Sequence, residues 1–383
     1  MSPADEPRVA VWRDVWLADT ETFVRDQVGA LTRWSPFLVG LRSRPNVLGV
    51  VPDLAPLSSS RAHALRAQWL GSLGMRRRLA HALRASGVRL VHAHFGTSAV
   101  QALPVARRAG LPLVATFHGY DVTSTPDVGF GLGREYRNRL RDVFAYASGL
   151  VAVSEFIAAR LVALGAPPEK VLVRPIGIDL SASRGPLDPF DERSGVAFVG
   201  RLVPKKGVDH LIEAYARLPL ELRRTTPLRI AGDGPERGAL EALATERGVA
   251  AQFLGHVPPD RVRALFRESV VLAAPSRTAP NGDSEGFGMV FLEAAALGTP
   301  AVAYAHGGVP EALADGRTGL LAPEGDVKGL AANLERLLSD RDLAERLGRQ
   351  GRERTLGEFD IAARTLDLEK LYDEVAARPR LEP

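Results

Sequence analysis

The segment from Asp283 to Thr299, DSEGFGMVFLEAAALGT, combines two carboxylates, Glu285 and Glu293, with a glycine-rich turn and an apolar helix. Glycines let a backbone approach a ligand closely, and a helix N-terminus presents free N–H groups with about half a positive charge. The turn at 286–288 is therefore expected to hold a phosphate. A carboxylate further along the helix then accepts hydrogen bonds from ribose hydroxyls attached to that phosphate, as acidic residues do in nucleotide-binding folds.

Glu293 has apolar neighbours throughout its predicted helix. A helix that is apolar all round is a buried one, and an ionised carboxylate there is costly unless a polar group meets it. We therefore expect a partner for Glu293, which is either a ligand hydroxyl or a buried arginine. For Glu285, the alternative to ligand binding is a solvated position in a loop.

This segment resembles the E-x7-E signature of the retaining GT-B glycosyltransferases of family GT4, nearest to those of colanic-acid and exopolysaccharide biosynthesis. The resemblance continues through Gly298-Thr299-Pro300-Ala301-Val302 and Gly307-Gly308-Val309-Pro310-Glu311. It implies that Glu293 contacts the ribose of a nucleoside-diphosphate sugar and that Glu285 reaches the donor sugar. The residues that it implies for the phosphate side are Gly286, Phe287, Gly288 and Met289.

A basic loop at 200–207, GRLVPKKG, follows a predicted strand and opens a helix. Fixed cations aimed at a departing diphosphate stabilise the negative charge that grows on its oxygens. Arg201 and Lys206 match the Arg/Lys pair of the GT4 enzymes, and Lys206 is favoured over Lys205 because it directly precedes Gly207. The alternative is a solvated basic loop.

The turn at 232–235, Gly-Asp-Gly-Pro, is not a dinucleotide fingerprint, because Arg237 stands where G-x-G-x-x-G needs its third glycine. The turn resembles the Gly-Asp-Gly-Pro turn of the same transferases. Gly234 is therefore either a nucleotide contact or a structural turn residue. The backbone of Val257 and the side chain of Arg261 are weaker candidates for contact with the base.

In the first half of the chain, residues 116–121, TFHGYD, resemble the T-x-H-G-x-D segment of GT4 enzymes that make exopolysaccharides. His118 and Asp121 follow a predicted strand and can hydrogen-bond sugar hydroxyls. The resemblance implies that His118 touches the donor's sugar ring opposite Glu285, and the alternative is a structural histidine. His92 and His94 share a strand face but lack a third ligand at metal spacing, so a zinc site is rejected.

The first strand–helix loop, residues 18–24 with the sequence ADTETFV, departs from the Gly-Gly pair that many GT4 enzymes carry there. It resembles the Ser-Glu-Thr-Phe segment of colanic-acid-type galactosyltransferases. Because the Gly-Gly pair is absent, the usual phosphate contact from this loop is in doubt. Glu21 and Thr22 become candidates for acceptor recognition.

The family resemblance implies transfer of a hexose from a nucleoside-diphosphate sugar, with UDP-sugar slightly favoured over GDP-sugar, to an acceptor hydroxyl. The acceptor is a carbohydrate, a lipid-linked sugar or a small molecule. No obvious nucleophile is left over, and the resemblance therefore implies front-face attack, in which the departing diphosphate takes the acceptor's proton. No metal or other cofactor is required. The only D-x-D, at 340–342, opens a late helix, where acids suit the helix dipole.

Other functions make different demands on the sequence. A sugar-nucleotide epimerase of this fold should show extra acids in place of E-x7-E. A non-catalytic sugar-nucleotide-binding protein would lose one of Arg201, Lys206 or Glu285, and all three are present. A nicotinamide-dependent dehydrogenase is disfavoured by the broken fingerprint. A glycosyltransferase of a small natural product remains the alternative within the preferred class.

The elements that must position these residues alternate between short β-branched runs and helical segments, which predicts parallel sheets with helices on both faces. A chain of 383 residues exceeds what one hydrophobic core usually serves. We expect the α/β GT-B arrangement, two doubly wound Rossmann-like domains with a crevice between them. The predicted parts are an acceptor-side domain at 1–180, a linker at 181–195, a nucleotide-sugar domain at 196–361, and a last helix at 362–383 that crosses back to the first domain.

Composition limits the remaining classes. The chain is 45% hydrophobic and 25% charged and contains no cysteine, which excludes disulfides and thiolate metal sites. It has neither a signal-like start nor a run of 18 apolar residues, so a cytoplasmic protein is expected. The net charge of +4 is too modest to indicate nucleic-acid binding.

Arginines recur at helical spacing at Arg134, Arg137 and Arg141, with Arg139 close by, and a second cluster lies at 76–78. Such basic helical faces bind anionic membrane surfaces or lipid diphosphates in some proteins and are simply solvated in others. These residues are therefore candidates for peripheral contact with the inner face of a membrane.

Overall fold

The computed structural model describes residues 6–17, 21–43, 49–56, 73–127 and 131–378. The chain divides into two compact units, one formed by Met1–Asp179 with Ile361–Pro383 and the other by Leu180–Asp360. Each unit is built on its own sheet of six parallel strands. The predicted α/β class with two doubly wound sheets is confirmed.

The sheet of the first unit has the strand order β2-β1-β3-β4-β5-β6. Its strands are β1 (Arg8–Trp16), β2 (Ser35–Ser43), β3 (Val88–His94), β4 (Leu113–Phe117), β5 (Gly149–Ala152) and β6 (Val171–Val173). Its helices include α1 (Thr22–Gly29), α2 (Leu73–Ala85), α3 (Gly96–Ala109), α4 (Tyr120–Thr123), α5 (Leu132–Tyr146) and α6 (Glu155–Ala163). The order reverses between β1 and β3, which is where doubly wound sheets bind ligands.

The sheet of the second unit has the order β12-β11-β10-β7-β8-β9. Its strands are β7 (Val196–Val199), β8 (Leu228–Ala231), β9 (Ala251–Gly255), β10 (Val271–Ala273), β11 (Ala301–Ala305) and β12 (Gly319–Pro323). Its helices are α7 (Val208–Ala216), α8 (Leu220–Thr225), α9 (Arg237–Glu246), α10 (Pro259–Glu268), α11 (Met289–Ala296), α12 (Val309–Ala312), α13 (Val327–Ser339) and α14 (Arg341–Glu358). Here the order reverses between β7 and β10.

The last helix, α15 (Ile361–Ala376), belongs to the first unit. Its buried residues Leu368, Leu371, Tyr372 and Val375 join the core formed by Val9, Val11, Leu90 and Val114. Glu369 is fully buried, and its Oε1 accepts hydrogen bonds from the backbone N–H groups of Thr32, Arg33 and Trp34 at 2.7–3.0 Å. These bonds compensate the desolvation of the carboxylate and fix the loop after α1 against α15.

Residues 181–195, the segment predicted as a linker, pack into the second unit. Phe190 and Arg193 are buried. The Arg193 guanidinium donates to the carbonyls of Leu297 and Gly298 and to the Thr299 hydroxyl at 2.8–3.2 Å. Because the last carbonyls of a helix lack intrahelical donors, Arg193 satisfies the C-terminal end of α11.

Several element boundaries differ from the sequence prediction. The sequence pattern predicts helices near residues 22–34 and 61–86. The first, α1, ends at Gly29, and the second is seen as α2, with residues 61–72 outside the described ranges. The sequence reading also missed the short elements β6, α8 and α12. Elements of three to six residues contain too few positions for a periodic pattern to form.

Candidate active site

The predicted residues of the second unit converge where its strand order reverses. The basic loop at 200–207 follows β7, and the segment at 274–288 follows β10. Since β7 and β10 are neighbouring parallel strands, these two loops leave the same edge of the sheet side by side. The loop after β11, which contains Gly307 and Gly308, is the next neighbour.

An ion pair joins the first two loops. Lys206 Nζ lies 2.5 Å from Glu285 Oε2, and the Ser276 hydroxyl donates to the same oxygen at 3.3 Å. Both ionic side chains remain partly accessible, with 18% of Lys206 and 14% of Glu285 exposed. A second pair, between Lys205 and Asp283 at 3.1 Å, lies beside the first.

Burial alone would raise the pKa of Glu285. The positive charges of Lys206 and Lys205, with the hydrogen bonds from Lys206 and Ser276, outweigh this effect and lower the pKa to about 2. Glu285 is therefore ionised at neutral pH. The loop pair presents a fixed carboxylate beside two ammonium groups, so a ligand there meets charges of both signs.

The N-terminus of α11 lies directly beside this pair. Gly288 has φ +98°, a left-handed conformation that favours glycine, and a Cβ there would lie 3.8 Å from Glu285 Cγ. Within the described part of the chain, no side chain caps this helix. The first N–H groups of α11 lack intrahelical acceptors, so this end of the helix has the chemistry of an anion site.

Close backbone contacts shape the same turn. A Cβ on Gly307 would lie 2.4 Å from the Glu285 carbonyl oxygen, and one on Gly308 would lie 2.1 Å from the Gly286 carbonyl oxygen. The Gly308 N–H donates to the Glu285 carbonyl at 3.0 Å. The glycine pair after β11 is thus required for the approach that places Gly286, Phe287 and the start of α11.

Glu293 lies on the open face of α11. Met289, Val290 and Glu293 are partly exposed, whereas Phe291, Leu292 and Ala294–Ala296 are buried. Positions three and four apart share one side of a helix, so these three residues form a single face. The expectation of a helix buried all round is therefore wrong, because a narrow face remains accessible, with Glu293 one turn beyond Met289.

The sequence reading missed a hydrogen-bonded chain behind Glu285. The Glu285 N–H donates to His306 Nε2 at 3.3 Å, and His306 Nδ1 lies 2.9 Å from Glu324 Oε2. The Thr278 N–H donates to the other Glu324 oxygen at 2.6 Å. Because Nε2 accepts a hydrogen bond from the Glu285 N–H, the proton of His306 lies on Nδ1, and these hydrogen bonds orient the Glu285 backbone. Its sequence signal is a histidine directly before the Gly307-Gly308 pair.

Arg201 and Gly234 occupy different roles at the same edge. Arg201 is exposed, and its side chain forms no hydrogen bond or ion pair with the described residues. A Cβ on Gly234 would lie 2.3 Å from the Leu202 carbonyl oxygen, so glycine is required there for packing against the basic loop. The Arg201 cation is therefore accessible to a ligand, and the glycine at 234 is explained by backbone packing.

Of the two weaker base-contact candidates, the side chain of Arg261 is engaged elsewhere, whereas contact from the backbone of Val257 stays a prediction. Arg261 pairs with Glu268 at 2.5 Å, seven residues along in α10. Val257 is partly buried and packs against a small core of Ala197, Ala231 and Leu265. Neither contact involves the loops at 200–207 or 283–288.

The first unit also carries an ion pair where its strand order reverses. Arg13 donates to both carboxylate oxygens of Glu21, at 2.5 and 3.1 Å, and its Nη1 donates to the His94 carbonyl and the Ser98 hydroxyl. Its guanidinium lies 4.3 Å from the centre of the Phe95 ring. The sequence analysis did not single out Arg13, because the predicted first strand covers only residues 9–12, whereas β1 continues to Trp16. Thr22 begins α1 and is partly buried, and residues 18–20 lie outside the described ranges.

Asp121 is fully buried and shapes the loop that carries His118. Its carboxylate accepts hydrogen bonds from the backbone N–H groups of Gly96 and Gly119, both at 2.8 Å, and of His118 at 3.3 Å. Burial raises the pKa of Asp121 against the effect of these bonds. In this arrangement the carboxylate fixes backbone, and the partly buried His118 ring is the accessible member of the predicted pair.

His118 is part of a cluster of neutral rings. His118 Nε2 lies 3.2 Å from His94 Nδ1, and its ring centroid lies 4.4 Å from that of Phe95. Burial, with a smaller effect of Arg13, lowers the pKa of His118 well below its ordinary value, and burial lowers that of His94 likewise. Both rings are uncharged at neutral pH, so one donates and the other accepts in their contact.

His92 is satisfied inside the first unit. Its Nδ1 lies 2.6 Å from the Tyr372 hydroxyl and its Nε2 lies 2.7 Å from the Thr116 hydroxyl. In the described residues, no group of three or more His, Cys, Asp or Glu side chains is arranged to hold a metal ion. Likewise, no helix in the described ranges is long and apolar enough to cross a membrane.

Comparisons with known proteins identify the family of this chain. Residues 182–354 match the family model "Glycosyl transferases group 1", and residues 30–182 match "Glycosyltransferase Family 4". A GDP-mannose-dependent alpha-(1-6)-phosphatidylinositol monomannoside mannosyltransferase of Mycolicibacterium smegmatis is 35% identical over 297 residues, 72% of this chain and 75% of that protein. A Salmonella typhimurium glycosyltransferase assigned to colanic acid biosynthesis, WcaL, is 30% identical over 74% of this chain and 70% of its own length.

Among solved structures, a sucrose-phosphate synthase from Thermosynechococcus elongatus superposes with a TM-score of 0.77. The two are 23% identical, and the match covers 97% of this chain and 100% of the other. Identity at this level supports a shared fold and no more. The two parallel sheets with their helices are therefore a fold already seen in that synthase.

Proposed function

Since this chain belongs to the group 1 glycosyltransferases, as its resemblance to family GT4 implied, we propose that it transfers a hexose from a nucleoside-diphosphate sugar to an acceptor hydroxyl with retention of the anomeric configuration. The observation that carries this proposal is the Lys206–Glu285 pair at the switch point of the second unit, beside the N-terminus of α11. A diphosphate requires cations and N–H donors together, and this edge of the sheet provides both.

In the proposed reaction, the bond between the sugar's anomeric carbon and the diphosphate oxygen breaks while the acceptor oxygen forms its bond on the same face. The acceptor's hydroxyl proton passes to an oxygen of the departing diphosphate. Arg201 and Lys206 stabilise the charge that grows there, and the N–H groups near Gly286–Met289 add donors. Glu285 binds the donor sugar, and Glu293, on the accessible face of α11, binds the ribose.

His118 is the proposed contact of the first unit with the sugar ring. Because His118 is uncharged at neutral pH, it acts there as a hydrogen-bonding group and not as a cation. The structure gives the other predicted residues of this unit internal contacts, with Glu21 on Arg13 and Asp121 on backbone N–H groups. Acceptor recognition by Glu21 and Thr22 stays a prediction.

The proposed acceptor belongs to glycoconjugate or polysaccharide assembly. Both relatives above support this, since one is named for a phosphatidylinositol mannoside and the other for colanic acid. For the donor, the sequence favours UDP-sugars, and the GDP-mannose of the 35% identical relative is the competing candidate. A small natural product is the alternative acceptor.

The first experiment is a thermal-shift and hydrolysis screen of the full chain with UDP-, GDP- and ADP-sugars. We expect one nucleotide class to raise the melting temperature and to be hydrolysed slowly, with and without EDTA. Acceptor assays with that donor follow, and NMR of the product's anomeric proton tests retention. A protein that bound a sugar nucleotide but neither hydrolysed nor transferred it would instead be a non-catalytic binding protein.

A further inference from the structure

An open groove of about 740 Å³ lies in the first unit, lined by α2, α3 and α5. Its volume falls in the range of known ligand sites. Three of its lining residues, Val100, Leu103 and Pro104, come from consecutive turns of α3 and are apolar. The other lining residues are charged: Arg76, Arg84, Arg107, Arg108, Arg139 and Asp142.

Among the described residues, the positive charge of this groove is only partly balanced, since Asp142 is the single carboxylate against five arginines in its lining. Arg139 pairs with Glu135 at 2.5 Å, and Arg84 donates to the Arg108 carbonyl at 3.2 Å. Among the described residues, no carboxylate lies within 4 Å of the four other guanidinium groups. Like charges gathered around one cavity repel each other, so an anion in the groove would relieve a cost that the free protein carries.

We propose that this groove binds the phosphate head groups of an anionic phospholipid leaflet. Guanidinium groups present planar forks that match phosphate oxygens, and arginines on three helices surround the groove from different sides. The apolar strip on α3 suits the glycerol and acyl portion of a lipid. A soluble phosphate would leave this strip in contact with water, which is why a lipid is the favoured source.

The arginines that line the groove differ from the set that helical spacing in the sequence singled out. Of that earlier set, only Arg76 and Arg139 line it. Arg137 is turned away, since it donates to the Pro126 carbonyl and to Asp127. The groove gains Arg84, Arg107 and Arg108, which become neighbours only when α2 and α3 pack together. The inference does not depend on the proposed transfer reaction, because none of these residues takes part in it.

The test is co-sedimentation of the full chain with vesicles of phosphatidylcholine, alone and mixed with phosphatidylglycerol. The test variant is Arg76→Ala/Arg107→Ala, in which both side chains are exposed and Ala preserves helix propensity. The matched control is Arg134→Ala/Arg141→Ala, which removes the same charge from exposed positions of α5 outside the groove. Melting temperature with and without the nucleotide that binds serves as the folding control.

We expect the native chain to bind phosphatidylglycerol vesicles and not pure phosphatidylcholine. Each basic residue at an anionic surface contributes roughly fivefold to partitioning, so the groove variant should bind about 30-fold more weakly and the control variant should stay close to the native chain. Equal losses in both variants, or no vesicle binding by the native chain, would overturn the proposal. So would equally tight binding of soluble inorganic phosphate, which would mark a free-phosphate site.

Discussion

The two units place a cation and a glutamate at corresponding positions, where the order of the strands reverses. In the first unit, Arg13 and Glu21 are 5% and 10% exposed, and the arginine holds the carboxylate through two nitrogens. In the second unit, Lys206 and Glu285 are 18% and 14% exposed and meet through one contact at 2.5 Å. The first pair is closed by further bonds to the His94 carbonyl and Ser98, whereas the second borders an uncapped helix end.

This difference separates a pair that maintains the fold from one that can serve a ligand. A guanidinium in a bidentate, buried geometry cannot leave without breaking several bonds at once. An ammonium is a point charge on a flexible stem with three donors, so Lys206 can add a diphosphate oxygen while it still holds Glu285. The doubly wound sheet thus uses its switch point structurally in one unit and, as we propose, chemically in the other.

The largest expected effect is on the buried Arg13–Glu21 pair of the first unit. Arg13→Leu leaves Glu21 buried without its arginine, which should lower the free energy of unfolding by about 3–5 kcal/mol. Urea denaturation followed by tryptophan fluorescence measures this, because residues 180–360, which form the second unit, contain no tryptophan. Adding Glu21→Leu should restore much of the loss, since removing both buried charges is often nearly neutral. Native-like stability of Arg13→Leu would contradict the structural role.

The second effect concerns catalysis and the Lys206–Glu285 pair of the second unit. Lys206→Ala should lower kcat about 10²–10³-fold, the usual loss for one donor to a developing negative charge, with a small change in donor KM. The matched control is Lys205→Ala, which removes an adjacent ammonium that is paired with Asp283. Steady-state kinetics with the donor identified in the screen checks both variants. An unchanged kcat in Lys206→Ala, or equal losses in the two variants, would remove Lys206 from its leaving-group role.

The third effect is that the two units lose stability in different pH windows. Burial lowers the pKa of His92 from 6.5 to about 3, so the unfolded chain binds the extra proton and stability falls as pH drops from about 6.5 towards 3. The pKa of Glu285 is lowered from 4.5 to about 2, so its contribution is present above 4.5 and is lost only between about 4.5 and 2.

For His92 alone, the loss between pH 7 and pH 5 should be about 2 kcal/mol. Urea titrations at both pH values, read by tryptophan fluorescence, measure it in the first unit. His92→Asn should reduce this dependence. Glu285→Gln should remove the contribution of Glu285 at every pH above about 4.5, and it should change the pH dependence only below that value. A first unit whose stability is the same at pH 5 and pH 7 would show that the buried histidines do not resist protonation.

The sequence predicted the residues that meet in the second unit, Lys206 and Glu285, better than those that meet in the first, for physical reasons. Lys206, Glu285 and the glycines near them lie in continuous segments whose residue types already describe an anion site. Arg13 could not be paired with Glu21 from spacing, because the pairing depends on the path of residues 14–20 between them. The same limit hid the His306–Glu324 contact, which joins the loops after β11 and β12.

Burial was the other quantity that sequence could not supply. The run around Glu293 is apolar in composition, yet the packing of α11 leaves one face open at Met289, Val290 and Glu293. Asp121 was predicted to hydrogen-bond sugar hydroxyls, yet it is fully buried and its carboxylate accepts hydrogen bonds from three backbone N–H groups. In both cases the number of neighbouring elements that pack on a segment decides its exposure, and periodicity within the segment does not record that number.

The smallest effect compares helix caps in the two units. Asp340 accepts a hydrogen bond from the Leu343 N–H at 2.9 Å and caps α14, as Ser154 caps α6 through the Ile157 N–H at 3.1 Å. Asp340→Ala and Ser154→Ala should each cost about 1 kcal/mol, and Asp342→Asn, which removes no cap bond, should cost less. Differential scanning calorimetry resolves this, because 1 kcal/mol shifts the melting temperature by roughly 2–4 °C in a unit of this size.

Since the D-x-D at 340–342 serves as a helix start, kcat should be unchanged in the Asp340 and Asp342 variants, with or without added magnesium. A magnesium-dependent fall in kcat would instead place this motif in the chemistry and weaken the assignment of the diphosphate to Arg201 and Lys206.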